Sequence, residues 1–356
     1  VKQIKLGKST IGDESPVFII AEMAWSHDGS AAKAKAIIKG AAEAGADAIS
    51  VHITSLPDYM VKDYGRAAKH TISVGKRKED IYTYLDRLNL KSKDWQMLFA
   101  YARGLGLAIC AMPNDMPSLV FCRELKPDAY VIAAACFAEE RMVKEIAREK
   151  KPVILRIGGA TLDEIKKVVN LIQKQGTTDI ILLHGIQLYP TKIEDTHLKL
   201  IPSLKAIFGL PVGLADHMAG DTEAALTLPV AALGFGANVI EKHLTHNRKL
   251  KGEDYISALD PATFKKLVSN IREIEKSFGS GSFRSLSAGE LRYREVSRKR
   301  TVAARLIKKG KKITQDDITF KRANDGVYPD EAKSVIGRTA SQDIMEDDPL
   351  TWNKLV

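Results

Sequence analysis

The feature that most constrains this chain is a rhythm. Short runs rich in β-branched and other apolar residues recur at 18–22, 47–53, 107–113, 129–134, 152–158, 179–185, 211–217 and 239–245, each followed by a stretch of helical period. Fully apolar strands that alternate with amphipathic helices point to repeated βα units around a parallel sheet, because crossover helices must cover strands that are buried on both faces. Local start signals agree: Thr161 with Glu164 reads as a capping box, and Asp260 before Pro261 supplies an N-cap and a first-turn proline. An open doubly wound sheet would carry a glycine-rich phosphate turn after its first strand, whereas here that strand runs out in Ala21-Glu22-Met23. The expected fold is therefore α/β, a (β/α)8 TIM barrel over residues 1–278.

The stretch 278–287 (FGSGSFRSLS) is rich in glycine and serine, so 279–297 is read as a linker. Beyond it, 298–356 holds short strand-like pieces at 302–304 and 318–321, separated by Lys309-Gly310 and Asn324-Asp325-Gly326 turns, which predicts a small, mostly β module. The net charge of +10 is read as a lysine-rich solvated surface. The densest basic clusters, 298–300 and 308–312, contain no interleaved aromatics to stack bases, so nucleic acid is an unlikely partner. No apolar run is long enough for a membrane helix of ~20 residues. Residues 1–12 lack an apolar signal core, and Cys110, Cys122 and Cys136 sit in apolar surroundings, so the expected setting is the cytoplasm.

In such a barrel the C-terminal ends of the strands carry the chemistry. That rule selects Glu22, His52, Met112, Cys136, Arg156, His184 with Gln187 and Tyr189, Asp216 with His217, and Glu241 with His243. His217 and His243 end neighbouring strands and are placed to share one divalent cation, with Glu22 or water completing the shell and Asp216 and Glu241 as orienting carboxylates. A lone histidine is more often an ordinary hydrogen-bonded core residue; two at adjacent strand ends, each beside a carboxylate, favour a metal site. Cys136 is read as a small apolar filler, since no base lies near it in sequence.

The same residues carry a family resemblance. IIAEMAWSHDGS (19–30), Gly45-Ala46-Asp47, Leu183-His184 with Tyr189-Pro190-Thr191, GLADH (213–217) and EKH (241–243) resemble the sialic acid (N-acetylneuraminate) synthase family. VAARLIKKGKKIT, FKRANDG and VIGRTA resemble the antifreeze-protein-like SAF domain that ends those synthases. The resemblance implies a transferase of carbohydrate biosynthesis that condenses phosphoenolpyruvate with an open-chain N-acyl sugar to give a nine-carbon keto acid, using manganese or magnesium. It implies His217 and His243 as metal ligands, Glu22 as the proton-handling carboxylate, and Tyr189 and Asp254 as sugar-holding residues. It further implies a domain-swapped homodimer in which Arg322 reaches the other subunit's barrel.

The donor pocket departs from the family pattern. Ser50 and Val131 stand where the family has lysines, and His52 where it has glutamine. Met112, Ala134, Cys136, Arg156, Gln187 and Ala215 replace threonine, serine, glutamate, serine, asparagine and serine. Phosphoenolpyruvate is a dense anion, and lost charged donors contribute ~1.5–3 kcal/mol each. Arg156 and His52 are expected to rebuild the anion site, with Lys76 from the loop after the second strand adding charge, and His184, Gln187 and Asp216 lining the substrate. Three activities stay open: the family condensation, a metal-dependent lyase, aldolase or isomerase on a different acid or sugar, and a non-catalytic sugar-binding paralogue.

Overall fold

The computed structural model describes residues 1–64 and 80–356. Eight parallel strands close into a barrel: β1 (Phe18–Glu22), β2 (Ala48–Ile53), β3 (Ala108–Pro113), β4 (Ala129–Ala133), β5 (Val153–Arg156), β6 (Ile180–His184), β7 (Val212–Asp216) and β8 (Val239–His243). Each strand pairs with its sequence neighbours, and β8 closes the ring against β1 with His243 opposite Glu22. This is the TIM barrel that the alternating pattern predicts. The fourth strand stops sooner than expected, because Ala134–Cys136 form a 3-10 turn.

Alternation along each strand sorts the side chains into two layers. Phe18, Ile20, Ala48, Cys110, Val131, Ile154, Ile181, Leu183, Ala215 and Val239 form the inner cluster. Ile19, Ile49, Ile109, Leu155, Leu182, Leu214 and Ile240 point outward into the cluster shared with the helices. Burying each such aliphatic side chain contributes ~1.5–3 kcal/mol, which is why both layers are almost purely apolar. Gly213 of β7 is required by this packing, since a Cβ there would lie 2.4 Å from the Val239 carbonyl oxygen.

An N-terminal hairpin, Ile4–Leu6 with Ser9–Ile11, adds Ile4, Leu6 and Ile11 to the inner cluster. Its turn residue Gly7 has φ +58° and comes so close to Ala108, at the start of β3, that a Cβ would sit 2.9 Å from the alanine Cβ. The helices begin where the sequence signals them: the Thr161–Glu164 capping box opens Leu162–Lys174, and Asp260 caps Pro261–Glu275. Among the described residues no helix is long and apolar enough to cross a membrane.

The chain divides into two compact units, Val1–Phe278 and Gly279–Val356. The second has its own core of Ala303, Ile307, Ile313, Ile318, Val327, Val335, Ala340, Ile344, Leu350 and Leu355. Its antiparallel pair, β9 (Lys299–Ala303) and β10 (Ile318–Arg322), matches the expected β character. The stretch read as a linker is not all loop. Ala288–Ser297 is a helix, opened by a capping box in which Ser287 and Glu290 satisfy each other's backbone N–H groups.

Candidate active site

Because β1, β5 and β8 place alternate residues inward, Glu22, Arg156, Glu241 and His243 follow Ile20, Ile154 and Val239 into the barrel mouth. Ser50 and His52 do the same from β2, and Met112 from β3. His217 sits one residue past the end of β7, in phase with inward-facing Ala215. Seven positions chosen from sequence therefore share one face: Glu22, His52, Met112, Arg156, His217, Glu241 and His243.

Within this mouth the polar groups fall into two halves. In one, the Tyr189 ring lies 4.5 Å from that of His217 and 5.6 Å from that of His243, and the two imidazole centroids are 5.2 Å apart. Burial pushes His217 down to about 3 and His243 well below the ordinary histidine range, so both rings are neutral at physiological pH. The Ile186 carbonyl, 2.7 Å from His217 Nδ1, accepts that N–H and leaves Nε2 with a free lone pair. His243 Nδ1 is buried with no hydrogen-bond partner among the described residues. The Tyr189 hydroxyl donates to Gln187 Oε1 at 2.9 Å, and burial raises its pKa.

Asp254 belongs to the loop after β8, and its Oδ2 accepts from Trp25 N at 3.2 Å. Burial, reinforced by the charge of Glu253, raises its carboxyl to about 7. The loop after β1 is tied to the same segment, since Asp28 Oδ1 accepts from Glu253 N at 2.8 Å.

The other half is an ion cluster centred on Arg156, in which Glu22 Oε2, Glu241 Oε1 and Arg156 Nε have no hydrogen-bond partner among the described residues. Arg156 Nη2 contacts the Glu22 carboxylate and donates to Glu241 Oε2 at 2.8 Å and to Ser50 Oγ at 3.3 Å. Nη1 lies 3.2 Å from His52 Nε2 and 3.9 Å from Met112 Sδ. Glu22 also accepts from Ala24 N at 2.6 Å and lies 3.6 Å from His52. Glu22, Arg156 and Glu241 are all buried, and burial, with His27 adding to it, lowers His52 to about 3. One guanidinium thus faces two carboxylates and a neutral imidazole, rather than standing open as the expected anion fork.

Two expectations are corrected here. Asp216 and Glu241 do not hydrogen-bond to the imidazoles: Glu241 is engaged with Arg156, while Asp216 points outward in phase with Leu214 and grips Lys242. His184 also points outward, in phase with Leu182, with its Nε2 2.7 Å from the Thr196 carbonyl. Neither Asp216 nor His184 lines the mouth as a substrate contact, because alternation turns both to the helix side. Lys76 lies outside the described residues. Arg322 ends β10, exposed, in the C-terminal unit. Cys136 is buried, and burial with Glu139 nearby raises its thiol to about 12, which suits an inert filler.

Lys242 was not singled out from sequence, although it is among the largest fully buried side chains. A lysine one residue before His243, in phase with outward Ile240, is the signal that points to it.

A family model described as NeuB family matches residues 37–283, and one described as SAF domain matches 301–356. The chain is 33% identical to an uncharacterized protein of Methanocaldococcus jannaschii, over 100% of this chain and 99% of the relative. It is also 33% identical to a pseudaminic acid synthase of Campylobacter jejuni, over 95% of this chain and 96% of the relative. Among solved structures, an N-acetylneuraminic acid (sialic acid) synthetase from Leptospira borgpetersenii in complex with citrate superposes with a TM-score of 0.71 at 28% identity, covering 83% of this chain and 97% of that one.

Proposed function

The chain belongs to the NeuB family and ends in a SAF domain, and from that premise we propose that it is a carbon–carbon bond-forming transferase of carbohydrate biosynthesis. It joins a three-carbon enol donor to the aldehyde carbon of an open-chain N-acyl sugar, giving a nonulosonic, sialic-acid-like keto acid. The observation that carries this reading is the convergence of two neutral imidazoles and a tyrosine at the barrel mouth.

The residues fit a divalent ion. His217 gives its Nδ1–H to a backbone carbonyl, the usual arrangement behind an imidazole ligand. Two imidazoles that share an ion at the usual nitrogen distance have ring centres roughly 5 Å apart, as His217 and His243 do. Among the described residues no group of three His, Cys, Asp or Glu forms a metal-holding cluster, so the remaining positions of such an ion fall to water and substrate oxygens. Two nitrogen donors suit manganese better than magnesium, whose preferred donors are oxygens. Bound there, the ion would supply Lewis acidity toward the sugar carbonyl.

The chain's own groups divide the remaining work. Asp254, poised near neutrality, and Tyr189 hold sugar hydroxyls; Glu22, placed beside Arg156, takes up and returns a proton. Gln187 fixes the tyrosine hydroxyl. The assembly we propose is the domain-swapped homodimer, with Arg322 supplied by the partner copy. The setting is the cytoplasm, which suits three buried cysteines that form no disulfide.

The pairing of Arg156 with two carboxylates favours a second reading of the donor half. A phosphoenolpyruvate pocket needs cationic donors free to face phosphate and carboxylate, yet Arg156 is already held by Glu22 and Glu241. A donor without phosphate, such as a simple 2-oxo acid used in an aldol addition, meets that half with less uncompensated desolvation.

Both readings are tested by incubating manganese-loaded protein with a panel of N-acyl sugars and either phosphoenolpyruvate or pyruvate. Phosphate release with a product heavier than the sugar supports the first. Product from pyruvate alone supports the second, and no product from either donor removes the enzymatic reading.

A further inference from the structure

The ladder between β7 and β8 ends at the pair Lys242 and Asp216, one residue short of both His217 and His243. At that point side chains take over from backbone pairing. Lys242 Nζ donates to Asp216 Oδ2 at 2.6 Å and to the Met218 carbonyl at 3.0 Å, while Asp216 Oδ1 accepts from Met218 N at 3.0 Å. The carboxylate before His217 and the peptide after it are thus both fastened to the residue immediately before His243. The lysine is 0% exposed and the aspartate 2%. Neither enters the barrel mouth, because their strand phase turns them outward toward the helices.

A pair buried this deeply is a poor device for stability. Desolvating two charges cancels most of their attraction, and well-packed apolar residues of similar volume are often as stable or more so. What the clasp does supply is geometry: two hydrogen bonds from Lys242 reach across to the end of β7 where the ladder has stopped, and a third, from Met218 N, holds the carboxylate that receives one of them. His217 is held on its other side too, its carbonyl accepting from Ser257 Oγ at 2.8 Å and Thr191 N at 3.0 Å. For β8, beyond the clasp, the pairing that continues is with β1, where Leu244 N donates to the Glu22 carbonyl at 2.9 Å.

We propose that Lys242 and Asp216 are positioning residues that set the spacing of the His217 and His243 imidazoles for one divalent cation. The inference rests on the metal reading given above. Neither residue touches the ion; they act through the backbone on either side of the two ligands.

The test uses the full chain and Mn2+ alone as the probe, with affinity read from the free-ion electron paramagnetic resonance signal and folding from the thermal midpoint. The double variant Asp216→Leu with Lys242→Met removes both charges together and leaves neither buried alone. It is expected to keep its midpoint within a few degrees of the parent yet to bind Mn2+ about 10-fold or more weakly, the scale typical of groups that orient metal ligands. If the double variant does not fold, Asp216→Asn retains an acceptor for the Met218 N–H and is expected to weaken Mn2+ binding severalfold. A folded variant that binds within twofold of the parent overturns the proposal while leaving the metal site standing. A parent that binds no Mn2+ overturns the metal reading itself, and the positioning role with it.

Discussion

The two halves of the barrel mouth are built from the same strand-end positions and have opposite electrostatic characters. Around His217, His243 and Tyr189 the groups are neutral, and His243 Nδ1 is buried without a hydrogen-bond partner among the described residues. Around Arg156 the groups are charged and paired with one another: Glu22, Glu241, Ser50 and His52 all converge on one guanidinium, while Glu22 Oε2, Glu241 Oε1 and Arg156 Nε are buried without a hydrogen-bond partner among the described residues. The neutral half can take a cation without giving up an ion pair of its own, whereas a charge entering the other half must compete with pairs already made. The barrel mouth thus pairs a neutral half with a half occupied by the chain's own counter-ions.

Substitutions separate the halves by what they disturb. The largest effect is expected from His217→Ala, which should lower any turnover about a thousandfold, since a Lewis-acid site supplies several kcal/mol to the barrier. It should cost about 1–3 kcal/mol of folding free energy, for the cavity and the lost hydrogen bond to the Ile186 carbonyl, because the ring it removes is neutral and strands no charge. Steady-state product formation and urea unfolding, run side by side, check both statements. Arg156→Met should cost more stability. It strands Glu22 and Glu241 as buried carboxylates without their cation and should destabilise the fold by about 3–5 kcal/mol, measured in the same urea titration. Equal unfolding midpoints for these two variants would erase the contrast.

A smaller change is expected from Glu241→Gln, which removes one carboxylate but keeps an acceptor for Arg156 Nη2. A loss of about 1–3 kcal/mol is expected, less than for Arg156→Met. If the second donor reading is right, this variant also admits an anionic donor more readily, seen as a lower KM with kcat little changed.

The smallest effect is a pH dependence. Asp254 has its carboxyl raised to about 7, so it contributes stability that is fully present below the ordinary aspartate value and is lost as pH rises toward 7. Asp254→Asn should therefore match the parent's thermal midpoint only near the ordinary aspartate value and exceed it by a margin that grows up to about pH 7. His52, lowered to about 3 by burial, acts in the opposite sense: unfolded chains take up a proton below the ordinary histidine value while the folded one does not, so stability falls as pH drops from there toward 3. A flat difference between Asp254→Asn and parent across pH 5 to 9 would remove the carboxyl from the buried site.

Much of this was legible in the sequence because strands and helices announce themselves by period. The barrel, the Thr161–Glu164 box and the inward cluster of Glu22, His52, Arg156, His217 and His243 all follow from counting along strands to their ends. Strand ends alone misplace His184 and Asp216, whose outward phase is readable only when each is counted against Leu182 and Leu214. Ser287 with Glu290 carries a capping signal inside a stretch whose glycines and serines read as linker. The ion cluster and the Lys242–Asp216 clasp were less accessible. Each depends on which residue of one strand lies beside which residue of another, and that register is set by closure of the barrel rather than by any local pattern.

The central claim is that His217 and His243 share one divalent cation. Pulsed electron paramagnetic resonance on the Mn2+-loaded protein reads it most directly, through coupling of the ion to imidazole nitrogens. The account predicts one bound ion coupled to two such nitrogens, falling to one in His243→Ala. An ion with no nitrogen coupling, or coupling unchanged in that variant, would contradict it.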